Sequence, residues 1–412
     1  MADVGALLVV GLLLAPTAHA HGGLHQSTGL DFGPDGPILE TTYGVIRQDR
    51  DGEWSWICEE VSGIAGDGWT FSVGADGRSW FTGIGGANTS TDRCTWEPLA
   101  GPAADRFFTS IVPDPTRQGV VWATTGDGSE VNPILRAGDG GLDFADHAIV
   151  DDAARLRSFG VAEDGRLWAQ GMIELEVWVW TSTDGEAWSG VALGDVDRGA
   201  ALGDVGPDGS AWVVTRSADA QQLWRVPPDL SPVLVFETTE RIEGVSAGPG
   251  ADEVWLGGRS LALRGTRDAG ESWEEPGDAP SVGCLERHDG QRWICSDNWA
   301  DGAALSKVVV GEESGAWSEV LWFGDVRRVE ACEAGTTTAI ECDPLWAGLD
   351  PESGMDLEPR EDPDGDDSGG GTDPIGTGGC CASRGVDTMG LWLLPFLTLG
   401  WGWRRSDRAG VR

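Results

Sequence analysis

Asp164-Gly165-Arg166-Leu167-Trp168 is one of four copies of the pattern Asp-Gly-x-x-Trp in this chain of 412 residues. The other copies are Asp76-Gly77-Arg78-Ser79-Trp80, Asp208-Gly209-Ser210-Ala211-Trp212 and Asp289-Gly290-Gln291-Arg292-Trp293. Trp122 and Trp255 stand in the two missing positions, so successive tryptophans from Trp80 to Trp293 are separated by 42, 46, 44, 43 and 38 residues. A near-constant period of this length indicates an array of one repeated supersecondary unit.

The repeated unit is predicted to be a set of antiparallel strands. Asp-Gly is typical of hairpin turns, because both central residues of a type I′ turn need a positive φ, and Trp followed by alternating apolar residues suits a half-buried strand. Helical repeats would need apolar residues at i, i+3 and i+4, and this spacing is absent. About 40 to 45 residues is the length of one four-stranded blade, so the sequence predicts an all-β protein, a β-propeller.

A second element recurs in the other half of the repeat. The pattern S/T-x-D-x-G-x-x-W is matched closely by residues 266–273 and loosely by residues 182–188, with degenerate copies at 49–54, 90–96 and 137–144. This element resembles the Asp-box of sialidase-like and photosystem-assembly-like propellers. The resemblance implies that the Asp side chain and the Gly backbone fix the turn between the two outer strands, while the Trp packs between blades. It reports architecture and locates no catalytic centre.

Both elements together predict seven four-stranded blades within residues 21–349, with six or eight as the alternatives. The predicted blades lie near 26–66, 67–104, 105–153, 154–196, 197–240, 241–280 and 281–347. The last blade is expected to be completed by strand exchange with the N-terminal segment. The fifth blade, around Leu223 to Phe236, has no Asp-box.

Residues 1–20 are predicted to be a secretory signal peptide. An apolar run from Leu7 to Leu14 precedes Ala18-His19-Ala20, which has the form of an A-x-A cleavage site. The segment before the run lacks Lys and Arg and contains Asp3, which a misplaced start codon would explain. The mature chain is therefore expected to begin at His21 and to be exported, either to the bacterial cell surface or outer membrane or to the medium.

Six of the eight cysteines fall in the repeat region, and an even set in an exported chain favours disulfides. One pair flanks a copy of Asp-Gly-x-x-Trp, a second flanks a short hairpin rich in Gly and Thr, and the remaining two would join blades one and two. A zinc site is the competing interpretation, which the scarcity of His and the lack of a C-x-x-C pair disfavour. The predicted disulfides are Cys58–Cys94, Cys284–Cys295 and Cys332–Cys342.

The C-terminal part is predicted to be a linker and a sorting signal. Residues 350–379 are dominated by Asp, Gly, Pro and Ser, a composition that is typical of a disordered linker. Within residues 380–412, Cys380-Cys381 is followed by an apolar run from Met389 to Trp403 and by Arg404-Arg405. This tail resembles the MYXO-CTERM sorting signal of myxobacterial surface proteins. The resemblance implies cleavage near Cys380 or Cys381 by a dedicated membrane protease, with transfer to the cell surface.

The apolar run of the tail is too short for a comfortable membrane anchor. About 15 apolar residues fall below the roughly 20 that a helix needs to cross a bilayer, and the arginines after them are typical of a cytoplasmic stop. A transmembrane helix that holds the chain only until it is sorted fits these features better than an ordinary tail anchor, which is the alternative. The membrane is expected to be a partner only through this tail.

The charge of the chain limits its partners. The formal net charge is −40, so the surface repels phosphate backbones, and we expect no nucleic-acid ligand. The one candidate calcium segment is residues 362–367, Asp-Pro-Asp-Gly-Asp-Asp, which resemble the first half of a calcium loop. Asp367 and Asp373 occupy positions where an EF-hand has Gly and Glu, so a solvated acidic linker is the preferred interpretation. No cofactor or metal site is predicted.

No catalytic residue is predicted. Sialidase-like enzymes use a Tyr paired with Glu, an Asp and three Arg, whereas this chain has one tyrosine, Tyr43, with Glu40 nearby on a predicted strand and no F/Y-R-I-P segment. A copper monooxygenase would bind metal through His21 and one further His among His25, His147 and His288, but those enzymes have a compact β-sandwich. The carboxylate pair of a glycosidase cannot be recognised among 68 Asp and Glu residues.

Most of the 22 tryptophans fall at the two repeating positions and are assigned to packing between blades. Trp178 and Trp180 alternate along one predicted strand and therefore share a face, so they form a candidate ligand platform. The predicted function is a non-enzymatic surface propeller that binds a protein or glycan on its loop-lined face. The alternatives are a propeller-type glycoside hydrolase or lyase and an assembly or scaffold factor.

Overall fold

The computed structural model describes residues 26–346, with gaps at 49–51, 64–68, 84, 105, 127–130, 139, 297–303, 310–316 and 327. All described residues belong to the first of two compact units, residues 1–360, while the second unit, 361–412, lies outside them. The predicted signal peptide, linker, calcium segment and sorting signal therefore fall outside the described residues. Within the described part, no helix has the length and apolarity that a membrane crossing requires.

The described chain forms seven sheets, one for each predicted blade, with antiparallel pairing between the strands of a blade; the first sheet also includes one short strand from the C-terminal segment. Blades one to three contain β1 (Ser27–Gly33), β2 (Gly36–Thr41), β3 (Gly44–Gln48), β4 (Trp54–Cys58); β5 (Thr70–Val73), β6 (Ser79–Gly83), β7 (Gly86–Ser90), β8 (Glu97–Pro98); and β9 (Phe108–Pro113), β10 (Val121–Thr125), β11 (Ile134–Ala137), β12 (Ala145–Ala148). Blades four and five contain β13 (Arg155–Val161), β14 (Leu167–Ile173), β15 (Glu176–Ser182), β16 (Ser189–Asp195); and β17 (Ala200–Val205), β18 (Ala211–Arg216), β19 (Gln221–Val226), β20 (Val233–Thr238). Blades six and seven contain β21 (Gly244–Ala247), β22 (Val254–Gly257), β23 (Arg264–Thr266); and β24 (Cys284–His288), β25 (Gln291–Cys295), β26 (Leu305–Val309), β27 (Ser318–Leu321).

The sheets are arranged as a closed ring. The first strand of each blade contacts the first strand of the next, from β1 through β5, β9, β13, β17, β21 and β24, and β24 contacts β1 again. The predicted seven-bladed β-propeller is confirmed. Three 3-10 helices (Glu59–Ser62, Gly101–Ala103 and Phe323–Asp325), a short strand β28 (Arg328–Val329) and one α-helix, α1 (Thr337–Trp346), complete the described chain.

The repeating tryptophans lie on the second strand of their blades and fill the space between neighbouring sheets. Trp80, Trp122, Trp168 and Trp212 are at most 1% exposed. Trp168 also donates a hydrogen bond of 3.0 Å from its indole nitrogen to the carbonyl of Gly209, in the Asp-Gly turn of the next blade. One residue per repeat therefore both fills the gap between two blades and links them.

The Asp-Gly turns differ from the predicted type I′ geometry in three of four copies. Gly77, Gly165 and Gly209 have φ of 84°, 83° and 77°, but their preceding aspartates stay out of the positive region. The aspartate side chain instead accepts a hydrogen bond from the backbone two residues on, at 2.9 Å from Arg166 to Asp164. Only Asp289-Gly290 has a positive φ at both positions, 48° and 71°.

The turns at 182–188 and 266–273 share a second hydrogen-bond pattern. Asp184 accepts bonds from the backbone of Glu186 and Ala187 and from the hydroxyl of Ser182. Asp268 likewise accepts from the backbone of Ser272 and from the hydroxyl of Thr266. Each carboxylate thereby closes the connection between the third strand of its blade and the segment that follows.

Ring closure differs from the predicted strand exchange. Blade seven is complete with its own four strands, β24 to β27, and the N-terminal β1 belongs to blade one. The C-terminal segment instead crosses to blade one, where β28 pairs in parallel with the outer strand β4. Glu330 fixes this arrangement, since its carboxylate accepts a bond of 2.8 Å from the buried Arg47 and its backbone donates to Trp56. We call the segment 328–346 the C-terminal strap.

Two disulfides hold the C-terminal strap, and they correct the predicted pairing. Cys284–Cys295 is confirmed, because the two cysteines are directly opposite each other on β24 and β25. Cys58–Cys94 and Cys332–Cys342 are wrong: Cys58 pairs with Cys342, and Cys94 pairs with Cys332. The prediction joined cysteines by nearness in sequence, whereas ring closure lays the strap on blades one and two. Three disulfides fit an exported or extracellular protein.

Candidate functional site

Charged side chains from non-neighbouring blades meet at the axis of the ring. A guanidinium nitrogen of Arg287, on β24 of blade seven, lies 3.7 Å from a carboxylate oxygen of Glu163, in the β13–β14 turn of blade four. These blades are separated by two others along one arc of the ring, so the two side chains can reach each other only across the central channel. The channel is therefore narrow enough to be bridged by one ion pair.

Four half-buried carboxylates interact electrostatically in the same region, and we call Asp31, Glu40, Asp204 and Glu286 the channel cluster. Asp31, Asp204 and Glu286 lie on the innermost strands of blades one, five and seven. Glu40 lies on β2, opposite Gly29 of β1. A Cβ atom at position 29 would be 2.9 Å from the carboxyl carbon of Glu40, so the glycine provides the room that this side chain occupies.

Asp31 and Asp204 link neighbouring blades in the same way. Asp31 accepts bonds from its own neighbour Phe32, at 2.7 Å, and from the backbone of Val73 on β5, at 2.9 Å. Asp204 accepts from Val205 and, at 2.7 Å, from Ala247 on β21. Val73 and Ala247 are each the last residue of the first strand of the following blade. These two carboxylates thus join innermost strands that would otherwise meet only through packing.

Burial raises the pKa of every member of the channel cluster. For Glu40, burial and the nearby charge of Asp31 raise the pKa to about 8, although the backbone of Phe71 donates a hydrogen bond that opposes this. Burial raises the pKa of Asp204 to about 6, with two backbone hydrogen bonds and Arg287 acting in the opposite direction. The pKa of Glu286 is raised well above its usual range by burial and by Asp204, Asp31 and Glu40. Glu40 therefore retains its proton near neutral pH.

A channel with protonated carboxyl groups can donate as well as accept hydrogen bonds. Closely spaced acids whose pKa values differ are also the arrangement from which general acid and base pairs are built. Asp31 and Asp204 each accept two backbone hydrogen bonds, and Glu40 accepts one, from Phe71 of blade two. Glu286 is thus the member best suited to contact a polar ligand that enters the channel, followed by Glu40.

Metal binding was considered for the histidines and for clusters of acidic or sulfur-containing side chains. Within the described ranges of 26–346, no three His, Cys, Asp or Glu side chains are close enough to hold one ion. His147 packs edge-on against Trp122 in blade three, with 5.1 Å between ring centroids, and His288 stacks on Phe32 at 3.9 Å. These two candidate copper ligands thus belong to different parts of the ring, and His21 and His25 lie outside the described residues.

Tyr43 lies in the turn between β2 and β3 and not on a strand. Its carbonyl accepts a bond of 3.0 Å from the indole of Trp56, and its backbone nitrogen donates to the hydroxyl of Thr41. Glu40, its predicted neighbour, belongs to the channel cluster. The backbone of Tyr43 is thus held by hydrogen bonds within blade one.

Trp178 and Trp180 share one face of β15, with their rings stacked at a centroid distance of 6.0 Å. Trp180 is only 4% exposed and packs in the core between blades three and four, so it offers no ring face to a ligand. Trp178 is half-buried, and its indole donates a bond of 2.7 Å to Glu176. The pair therefore does not form the open platform that the alternation suggested. A face of a blade packs on its neighbour, and alternation alone does not separate such a face from an exposed one.

The remaining predicted site residues, Cys380, Cys381, Arg404 and Arg405, lie outside the described residues. The channel cluster was missed by the sequence analysis, because its members come from blades one, five and seven and share no motif. One signal was available: Asp31, Asp204 and Glu286 are the acidic residues of the seven innermost strands that the structure describes.

No protein-family model and no curated relative match this chain. Solved structures with a similar fold include a catalytically inactive virginiamycin B lyase from Staphylococcus aureus with quinupristin, at 14% identity and a TM-score of 0.51 over 66% of this chain and 92% of that one. A GH74 xyloglucanase from Xanthomonas campestris matches at 15% identity and a TM-score of 0.52 over 73% and 55%, and a puromycin hydrolase at 15% and 0.51 over 73% and 54%. At such identities the similarity shows the fold alone: the chain is a seven-bladed β-propeller.

Proposed function

We propose that this protein is an exported, non-enzymatic propeller that is displayed on the cell surface and binds a protein or glycan ligand. The propeller would serve as a rigid platform, and the tail that resembles a MYXO-CTERM signal would direct it to the surface. The turns closed by Asp184 and Asp268 would be Asp-boxes in this account, with a purely structural role.

The observation that carries the proposal is the position of the C-terminal strap. Strand β28 pairs with the outermost strand of blade one, and α1 contacts β4, β28 and the 3-10 helix at 59–62. The described chain thus ends at the outer rim of the ring, where two disulfides fix it. A tether attached at this rim would keep the channel and the connecting loops accessible, as a display protein requires.

The use of the channel carboxylates also supports binding over turnover. Asp31 and Asp204 each accept two backbone hydrogen bonds, one of them from the next blade. Two of the four acids therefore have a structural task that explains their presence without catalysis.

The channel cluster favours one second candidate, a hydrolase or lyase. Glu40 has a pKa of about 8, and the pKa of Glu286 is raised by burial and by the charges of Asp204, Asp31 and Glu40. Interacting carboxyl groups with shifted pKa values are the groups from which general acid and base roles are assigned in glycoside hydrolysis. Glu40 and Glu286 would carry these roles in a hydrolase or lyase.

The two candidates are separated by arrays of glycans and of immobilised peptides, probed with the purified protein and with a Glu40→Gln, Glu286→Gln variant. If the protein only binds its ligand, it should be retained on one class of array ligand. The amount of that ligand on the array should then be unchanged after overnight incubation. Loss of the bound ligand from the array with the native protein, but not with the variant, would support the hydrolase or lyase instead.

A further inference from the structure

Three arginines come from chain segments that adjoin where blades five and six meet. Arg216 is the last residue of β18, and its carbonyl accepts a hydrogen bond of 3.2 Å from the backbone of Arg198, which precedes β17. The guanidinium of Arg216 extends toward blade six, where Nη2 donates to the carbonyl of Ile242 at 3.5 Å, next to Arg241. Since β17 and β21 begin here and β18 ends here, these residues lie on the face of the ring where the innermost strands start.

Arg216 is half-buried and forms no ion pair within the described part of the chain. Its Nη2 donates to Ile242, whereas Nε is enclosed and has no hydrogen-bond partner among the described residues, and Nη1 has none there either. Burial lowers the pKa of Arg216, and the charge of Arg241 lowers it further, with Glu243 acting in the opposite direction. Withdrawing a charge from water without a partner is costly, so a bound anion would stabilise this guanidinium.

Glu243, the carboxylate that acts on this group, is already shared by two other arginines. It lies 3.3 Å from Nε of Arg241 and 3.7 Å from Nε of Arg259, and it accepts a bond of 3.2 Å from the backbone of Arg259. Arg259 is also held by Gln26 and by the carbonyl of Ser27. The side chain of Arg241, by contrast, is 66% exposed, and its two terminal nitrogens form no hydrogen bond within the described ranges. Arg241 therefore presents a fork of donors to the solvent.

This local excess of positive charge contrasts with the rest of the chain. The sequence has 68 Asp and Glu residues against 28 Lys and Arg residues, so acidic partners are abundant. Asp197, Asp219 and Glu240 are exposed residues of the same connections, yet in the described structure they form no ion pair with these arginines. Arg216 and Arg241 thus form a small positive site on an acidic surface.

We propose that Arg216 and Arg241, which we call the arginine pair, bind the carboxylate of a uronic acid unit in an otherwise neutral glycan. This deepens the proposed function, on which it rests, by naming a site and a ligand class. A guanidinium holds its donors in one plane and matches the two oxygens of a carboxylate. The arginine pair would supply such donors from both blades.

The surroundings of the arginine pair favour a sugar over an acidic protein segment. Ionised Asp197, Asp219 and Glu240 can only accept hydrogen bonds. A sugar ring carries hydroxyl donors beside its carboxylate, whereas the side chain of Asp or Glu has only methylene groups there. The formal net charge of −40 also repels a segment with several acidic residues.

The test is a calorimetric titration of the purified full-length protein with xylotriose that carries a single glucuronic acid branch. We expect saturable binding that weakens as salt is added, because the contact with Arg241 is exposed to screening. The methyl ester of the same oligosaccharide keeps its hydroxyl groups and loses the charge, so it should bind at most about one tenth as tightly. An acetylated tripeptide with one Glu is the second probe and should not bind.

Arg216→Met keeps the apolar stem of the side chain and removes its charge. It is expected to weaken binding of the oligosaccharide about tenfold. It should also unfold at the same or a higher denaturant concentration than the native protein, because it removes an unpaired, half-buried charge. Arg216→Lys should recover only part of the affinity, since Lys lacks the planar fork. The matched control is Arg157→Gln, at an exposed arginine near the start of β13, which should bind as the native protein does.

Four results would overturn the proposal. The first is that the acidic oligosaccharide does not bind, and the second is that its methyl ester binds equally well. The third is that Arg216→Met leaves binding unchanged, in which case any loss of stability would assign Arg216 a structural role. The fourth is that the tripeptide binds and the oligosaccharide does not, which would make the site one for acidic protein segments.

The outcome separates this proposal from the proposed function. If the arrays identify a ligand whose binding is unaffected by Arg216→Met, the surface propeller stands and the arginine pair is not its site. If the oligosaccharide binds through the arginine pair and is cleaved with time, the arginine pair stands and the non-enzymatic function fails.

Discussion

Cys58 and Cys342 form a disulfide between residues 284 positions apart, with 5.4 Å between their Cα atoms. One partner ends the outer strand of blade one and the other lies in α1, so the bond ties the end of the described chain to its beginning. Cys94–Cys332 makes a second tie between blade two and the strap, over 238 positions. The ring is thus closed covalently at its rim as well as by packing at its axis.

Removing the long-range disulfide Cys58–Cys342 should lower the free energy of unfolding by more than removing the local disulfide Cys284–Cys295. A Cys58→Ser, Cys342→Ser variant is expected to lose about 3–5 kcal/mol of unfolding free energy, because a long loop gains more freedom in the unfolded chain. The control is Cys284→Ser, Cys295→Ser, which opens a span of only 11 positions and should cost less. Guanidinium unfolding of both variants measures the difference. Equal losses would mean that the strap does not constrain the ring.

Neutralising Glu40 should stabilise the protein at alkaline pH. The folded-state pKa of about 8 lies above the ordinary value of 4.5, so the native state holds a proton that the unfolded state releases. Stability should therefore fall as pH rises from about 4.5 to 8. Glu40→Gln removes this ionisation. Its free energy of unfolding is therefore expected to exceed that of the native protein by on the order of 1–3 kcal/mol at pH 8, and to differ little at pH 4.

Unfolding curves of the native protein and Glu40→Gln at pH 4, 6 and 8 check this prediction. Glu237→Gln, on the exposed outer strand of blade five, is the matched control and should change little at any pH. An equal effect of Glu40→Gln at pH 4 and pH 8 would contradict the assigned protonation.

Trp168→Ala should be among the most damaging single changes. The side chain is fully buried between blades four and five and bonds to Gly209, so its loss leaves a large cavity and an unpaired carbonyl. The free energy of unfolding is expected to fall by about 3–5 kcal/mol. Trp178→Ala, at a half-buried ring in the same blade, should cost less than half as much in the same denaturant experiment.

Surface display should depend on the cysteines of the tail. A Cys380→Ala, Cys381→Ala double variant is expected to lose surface display while the ring still folds, if the tail acts as the sorting signal that it resembles. Immunolabelling of intact cells, with total protein measured by blotting, gives the result. Normal labelling of the double variant would refute the sorting assignment.

The repeats in the sequence were enough to predict the ring but not its closure. The five tryptophans from Trp80 to Trp255 are each the second residue of a second strand, and Trp293 is the third residue of its strand, so their spacing reports the blades directly. The strap is different, because β28 has only two residues and pairs with a strand some 270 positions earlier. No local pattern encodes such a contact, and this is why two of three disulfides were assigned to the wrong partners.

The site was less accessible to sequence reasoning than the fold. Asp31 and Asp204 perform the same task in blades one and five, yet the residues around them differ, since the shared feature is an acceptor for the backbone of the next blade. For Trp178 and Trp180 the sequence pattern was clear, because the two residues alternate along one strand. The pattern did not reveal, however, that Trp180 is buried against blade three.

The most direct test of the account is whether a bound ligand leaves the protein unchanged. Mass spectrometry of a ligand from the arrays, incubated with the native protein and sampled over several hours, gives the answer in one measurement. The account predicts saturable binding with the ligand mass intact at every time point. A product whose amount rises with time, and that is lost in the Glu40→Gln, Glu286→Gln variant, would contradict it and identify an enzyme.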